Sequence, residues 1–188
     1  MPKPCAEVLI KKHCVKIHTA VNLVEKLEQQ MEIRHIEQRD NTALAEVVRD
    51  VLVEMGVPKT GTAHEDKELD AMYEAYLAPR SAYYVLDDGG TIIGGAGIAP
   101  LKDGDPEVCE LQKMYFLPEG RGKGMGTKMI DLCLAFAQAQ GFKLCYIETM
   151  PNMLDAQKLY LKKGFNYIDH PMGNTGHCNC PIWLTKPL

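Results

Sequence analysis

The sequence predicts an α/β fold, a mixed central sheet with helices on both faces. Strand-like and helical hydrophobic periods take turns along the chain, and glycine or proline closes most of the runs. Past the midpoint, a glycine-rich turn joins a strand to an amphipathic helix. With 188 residues, 46% of them hydrophobic and 24% charged, the chain suits one domain with its own core and excludes a largely disordered protein.

From Met31, MEIRHIEQRD reads as a short strand with Ile33 on one face, closed by Asp40-Asn41 as a helix N-cap. TALAEVVRDVLVEMG then sets Leu44, Val47, Val48, Val51 and Leu52 at helical spacing and stops at Gly56. A loop, VPKTGTAHED, leads to a second helix over DKELDAMYEAYLAPR, ended by Pro79. The strands SAYYVLD and TIIGGAGIAP follow, joined at Asp88-Gly89-Gly90, whose glycines allow a tight hairpin. After the turn KDGDP comes a long strand, PEVCELQKMYFLP, and after it a helix from about Gly126 to Gln140. A strand LCYIETM, a helix MLDAQKLYLKK closed by Gly164, and a last strand pair FNYID and PIWLT complete the order β-α-α-β-β-β-α-β-α-β-β.

A net charge of −4 and a pI near 5.9 exclude a broad nucleic-acid-binding face, which needs clustered excess Lys and Arg. The uncharged stretch Gly89 to Leu101 is too short and glycine-rich for a membrane span of about 20 residues. Lys11 and Lys12 interrupt the N-terminal apolar run before any signal-peptide core develops. Seven cysteines without a C-x-x-C motif, several inside apolar runs, point to a reducing compartment and a cytoplasmic location.

The strongest chemical signal is the run Arg121-Gly122-Lys123-Gly124-Met125-Gly126-Thr127. A helix start carries unpaired N–H groups and partial positive charge, and glycines let that backbone approach a ligand, so the run suits a phosphate or pyrophosphate. The Walker spacing fails, because Met125 and Thr127 stand where its second glycine would be, and the dinucleotide pattern G-x-G-x-x-G fails at the same two residues. What remains is R-x-x-G-x-G, with a glycine-rich turn of no chemical role as the bland alternative.

The run ELQKMYFLPEGRGKGMGTKMI, then ETM, then Ala156, Leu159-Tyr160 and Gly164-Phe165 closely resembles the GNAT superfamily of acetyl-CoA-dependent N-acetyltransferases. The resemblance covers Met31 to Leu188 and implies a GNAT fold whose sheet splays at the acetyl-CoA site. It implies that the amides of Gly122, Lys123, Gly124, Met125, Gly126 and Thr127, with Arg121 beside them, cradle the cofactor's pyrophosphate. It also implies that the strand edge at Met114 and Phe116 pairs with the pantetheine arm as an added strand would.

An amine attacking a thioester must lose a proton and the departing thiolate gains one, so the reaction invites a base and an acid. By resemblance the base is Glu110, acting through water; the alternative is a polar residue on the solvent face of a strand. Tyr160 stands where the family's tyrosine protonates the thiolate, and it shares a helix face with Met153 and Ala156. Its alternative is a core tyrosine with a satisfied hydroxyl. Asn152 stands one residue earlier than the family's cofactor-binding asparagine, which leaves it as a cofactor contact or a helix cap. Cys109 as a covalent nucleophile is disfavoured, because strand alternation points it away from Glu110 and no histidine is near in sequence.

His177 and Trp183, in the run GHCNCPIW, border the acceptor pocket if the resemblance holds, with hairpin packing as the alternative. Cys178 and Cys180 beside His177 lack zinc spacing, so no metal is expected. Glu65, Asp66, Glu68, Asp70 and Glu74 bracket the second helix, either attracting a cationic amine or forming a solvated face.

The expected activity is transfer of acetyl from acetyl-CoA to a small or peptide amine in a ternary complex; the competing class is a non-catalytic acyl-CoA-binding sensor. Residues 1–30 are surplus to the catalytic domain at 31–188. Val21, Val24, Leu27 and Met31 have helical spacing, which suits packing on the domain or on a partner subunit, as in a homodimer; a frayed extension, or a start codon upstream of one at Met31, is the equal alternative.

Overall fold

Seven strands form one open sheet in the order β1-β2-β3-β4-β5-β7-β6. The strands are β1 (Glu32–His35), β2 (Ala82–Asp88), β3 (Thr91–Pro100), β4 (Val108–Phe116), β5 (Leu144–Thr149), β6 (Asn166–Ile168) and β7 (Ile182–Pro187). The helices are α1 (Asn41–Glu54), α2 (Met72–Ala75), α3 (Met125–Ala139) and α4 (Leu154–Lys162). This computed structural model describes residues 31–60, 62–176 and 179–188. The segment 1–30 with its expected helix, and His177 and Cys178, lie outside the described residues.

All neighbouring strands are antiparallel except β4 and β5. The β2–β3 hairpin turns on Gly89 and Gly90, both at positive φ, and Asp87 Oδ1 accepts the Gly90 N–H at 2.6 Å. On one face, α1 buries Leu44, Val48 and Leu52 against Tyr83, Val85 and Ile92 of the sheet. On the other, α3 crosses β2 and β3 and buries Met129, Ile130 and Cys133. The expected mixed sheet with helices on both faces is the observed architecture.

Three helices end the same way. After α1, Gly56 donates to the Val53 carbonyl and Val57 to that of Leu52. Gly141 and Phe142 repeat the pattern after α3, as do Gly164 and Phe165 after α4. Each is a left-handed glycine followed by an apolar residue that folds back onto the last turn.

Two expectations need correction. Asp40 precedes α1 but makes no side-chain cap to it; its carboxylate turns back to Arg34, at 2.7 and 2.9 Å, and to the Glu37 N–H. The partly buried guanidinium is a stronger partner than an exposed helix N–H. The second helix is a 3-10 turn over Lys67–Ala71 followed by only one α turn, α2. Its carboxylates are drawn to separate neighbours, Asp70 to Arg49 and Glu74 to Gln38 and Asn41, and the helix is short despite the helix-favouring Ala, Leu, Glu and Met of the run.

Candidate active site

β4 and β5 are matched only at Val108 with Leu144, Cys109 with Cys145 and Glu110 with Tyr146. Past Glu110 they separate. On its other side β4 skips register against β3: Gly97 faces Gln112 and Gly95 faces Tyr115, so Lys113 and Met114 together oppose Ala96.

The bulge holds Lys113 at φ +48°, a left-handed conformation that costs a non-glycine residue about 1–2 kcal/mol. Three bonds offset that cost. The Tyr83 hydroxyl donates to the Lys113 carbonyl at 2.8 Å, and the buried ammonium pairs with Asp66 at 2.9 Å and Glu68 at 2.6 Å. Burial opposes the lysine's charge, but the two carboxylates outweigh it and raise the pKa above the ordinary value. These two carboxylates therefore already hold a cation of the protein's own, while Glu68 stays half exposed.

A cleft of about 690 Å³ opens where β4 and β5 part. Met114, Tyr115 and Phe116 form one wall, the glycine turn another, and α4 with the residues before it a third. Gly122 and Gly124 have φ of +72° and +78°, and the space where their Cβ atoms would stand is open. Gly126 is fixed differently: a Cβ there would lie 3.1 Å from Leu159 and 3.5 Å from Met114. Gly124 is the residue before α3, and with Gly126 and Thr127 of the first turn it lines the cleft, so the positive end of that helix stands at the cleft wall.

The expected cofactor residues divide. Met114, Phe116, Gly122, Gly124, Gly126 and Thr127 line the cleft. Arg121 lines it too, but its guanidinium is engaged by Glu54 through two bonds of 2.7 Å and by the Phe116 carbonyl, which ties the turn to α1. Lys123, exposed, and Met125 are not among the lining residues. Asn152 lines the cleft and does not cap α4; its amide donates to the Met55 carbonyl at 2.6 Å.

Tyr160 also lines the cleft. It sits on the last turn of α4 with its ring 6.0 Å from that of Phe165, the residue folded back by the Gly164 stop. Burial raises the pKa of its hydroxyl well above the ordinary tyrosine value, which keeps it protonated and makes it a weaker acid than an exposed tyrosine. Tyr115 shares the cleft and the same direction of shift, again from burial. The sequence reading passed over Tyr115 because an aromatic inside a strand reads as core.

Glu110 is not among the residues lining this cleft. It lies on the α1 side of the sheet, 4% exposed, and its Oε2 accepts a hydrogen bond from Gln112 Nε2 at 2.7 Å. By strand alternation, Tyr146 and Glu148 of β5 and Trp183 of β7 face the same way. Both oxygens of Glu148 accept hydroxyls, from Tyr146 and Thr175, each at 2.7 Å. Trp183 packs beside Leu101, Val108 and Tyr146. Glu148 was also missed, since the motif ETM carried weight only as part of the resemblance.

Cys109 faces away from Glu110, as alternation required, and packs with Cys145 and Cys133 beneath α3. Burial pushes the Cys133 thiol up to about 12 and raises that of Cys145 well above its ordinary value, so these two thiols stay protonated. No group of metal-binding side chains occurs among the described residues.

A sheet split beside a bulge, with a glycine-lined helix start in the split, is the arrangement of an acyl-CoA-dependent transferase. Residues 31–165 match the Acetyltransferase (GNAT) family, and the chain belongs to that family and is an N-acetyltransferase. An Escherichia coli K12 relative, described as the uncharacterized N-acetyltransferase YjgM, is 41% identical over 157 residues, spanning 83% of this chain and 94% of its own. A GNAT-family acetyltransferase structure from Staphylococcus aureus Mu50 superposes with a TM-score of 0.75 at 19% identity, covering 85% of this chain and 99% of that one. The acetyltransferase yncA from Salmonella typhimurium, solved with acetyl-CoA, has a TM-score of 0.68 at 18% identity, covering 85% and 94%. Among the described residues no helix is long and apolar enough to cross a membrane.

Proposed function

We propose that the protein transfers acetyl from acetyl-CoA to a primary amine by direct attack in a ternary complex. The observation that carries this is the separation of β4 from β5 immediately after Glu110, with the glycine turn and Tyr160 in the resulting cleft. The amides at Gly122, Gly124, Gly126 and Thr127 suit the pyrophosphate, and the backbone of Met114 and Phe116 suits the pantetheine amides. The residues around the cleft fit the cofactor that the Salmonella protein was solved with.

The amine nitrogen forms the new C–N bond at the thioester carbonyl, and the C–S bond breaks. A cationic amine first gives one proton through water to Glu110, which frees its lone pair; after attack the thiolate takes the proton of Tyr160, and the second amine proton returns through solvent to the tyrosinate. Water is required in this scheme because Glu110 lies outside the cleft. Glu110, Glu148 and Trp183 share the face on which the acceptor would enter, which favours a cationic amine, small or peptide-borne. The buried free thiols fit a reducing compartment, and we assign the enzyme to the cytoplasm.

The test is release of free coenzyme A from acetyl-CoA across a panel of polyamines, arylalkylamines, amino acids and peptides. Turnover with at least one amine, and acetylation of that amine by mass, is the expected result. Saturable acetyl-CoA binding without transfer to any of them overturns the reading in favour of a sensor.

A further inference from the structure

Two tyrosines over the sheet have no place in that scheme, yet the strand beneath is shaped to receive them. A Cβ on Gly97 would stand 2.5 Å from the ring and hydroxyl of Tyr76, and one on Gly95 would stand 2.6 Å from the ring of Tyr83. Any other residue at either position would lift a ring off β3. Tyr76 arrives from the end of α2 and Tyr83 from β2, with ring centroids 5.0 Å apart. Across these two glycines both hydroxyls reach β4, that of Tyr76 just before its bulge and that of Tyr83 within it.

Tyr83 takes the Lys113 carbonyl, as described above. Tyr76 donates to Gln112 Oε1 at 2.7 Å, and Gln112 Nε2 donates to Glu110 Oε2 at 2.7 Å. The direction of this chain is forced by its ends. A carboxylate only accepts, so Gln112 must turn its NH₂ toward Glu110, and its oxygen then needs the donor that Tyr76 supplies. Tyr76 is 8% exposed and Glu110 4%, so bulk water competes little at either end.

We propose that Gln112, held by Tyr76, is a positioning residue that fixes the orientation of the Glu110 carboxylate and favours its ionised form. This rests on Glu110 as the base. The glycines of GGAG in β3 then have a purpose beyond the strand itself: they seat the aromatic that aims the amide. Tyr83 braces the bulge and is not part of the chain to Glu110.

The test needs no acceptor. In protein labelled with ¹³C at glutamate Cδ, the Glu110 signal, assigned by its loss in Glu110→Gln, is titrated in the wild type and in Gln112→Met, Tyr76→Phe and Tyr83→Phe. Removing a hydrogen bond to the charged form raises the titration midpoint, so Gln112→Met should move it up by about one pH unit. Tyr76→Phe should move it less, in the same direction, because Gln112 keeps its donor but loses its anchor. Tyr83→Phe, an equal loss of one buried hydroxyl, should leave it in place. An unmoved midpoint in both chain variants, or an equal movement in Tyr83→Phe, overturns the proposal. Failure of the base assignment has a separate signature: normal turnover of Glu110→Gln, whatever the titrations show.

Discussion

Glu110 and Tyr160 are both buried, and burial by itself disfavours the charged form of each. Tyr160 is kept neutral and made a weaker acid by its surroundings, while Glu110 is offered an amide N–H that offsets part of the cost of burying a carboxylate. In the proposed scheme Glu110→Gln keeps shape and hydrogen bonding yet removes the acceptor for the amine's proton, so turnover should fall about 10²–10⁴-fold. Tyr160→Phe keeps the ring against Phe165 and should lower kcat without raising the KM for acetyl-CoA. Steady-state kinetics across pH checks both. Equal loss in KM and kcat for Tyr160→Phe would mark it as a packing residue.

At the scale of elements, the glycine turn works through torsion as much as through space. Gly124 has room for a Cβ but stands at φ +78°, so Gly124→Ala costs about 1–2 kcal/mol of strain in holding the amides of α3 where they are. Relaxing that strain turns the amides away. The KM for acetyl-CoA should rise about tenfold, with little change in kcat at saturation. An unchanged KM would show that the amides at this turn do not carry the cofactor. The Gly164 stop acts on α4 in a related way: it folds Phe165 under Tyr160 and so sets the direction of a side chain four residues upstream.

For the whole molecule, the edge of the sheet is tied to α1 through Arg34, whose guanidinium bonds Asp40 twice and Asp87 at 3.0 Å. Burial works against the Asp40 charge, but the Arg34 bonds outweigh it and hold the carboxyl below its ordinary pKa. A depressed folded value means stability present above about pH 4 and lost as pH falls through that folded value. Asp40→Asn should therefore cost about 1.5–3 kcal/mol at neutral pH and flatten the acid limb of the stability curve. Urea unfolding at several pH values measures this; an acid limb unchanged in the variant would assign it to other carboxylates.

The sequence by itself determined the order of elements, the helix stops at Gly56 and Gly164, the hairpin at Gly89-Gly90 and the glycine turn. Each is a local matter of period, torsion or missing Cβ, settled within a few residues. Tyr160 was legible for the same reason, because its neighbours on one short helix set its direction. Only the tertiary structure decided what crosses between elements. Arg121 answers to Glu54, Asp66 and Glu68 to Lys113, Asp40 to Arg34, and Tyr76 to Gln112, across separations in sequence that no spacing rule spans. A charge in a half-buried site pairs with whatever opposite group the packed core brings within about 3 Å, and that neighbour is fixed by the sheet's register. The glycines of β3 show the difference most plainly: in sequence they weaken a strand, and in the fold they are the floor on which two tyrosines reach β4.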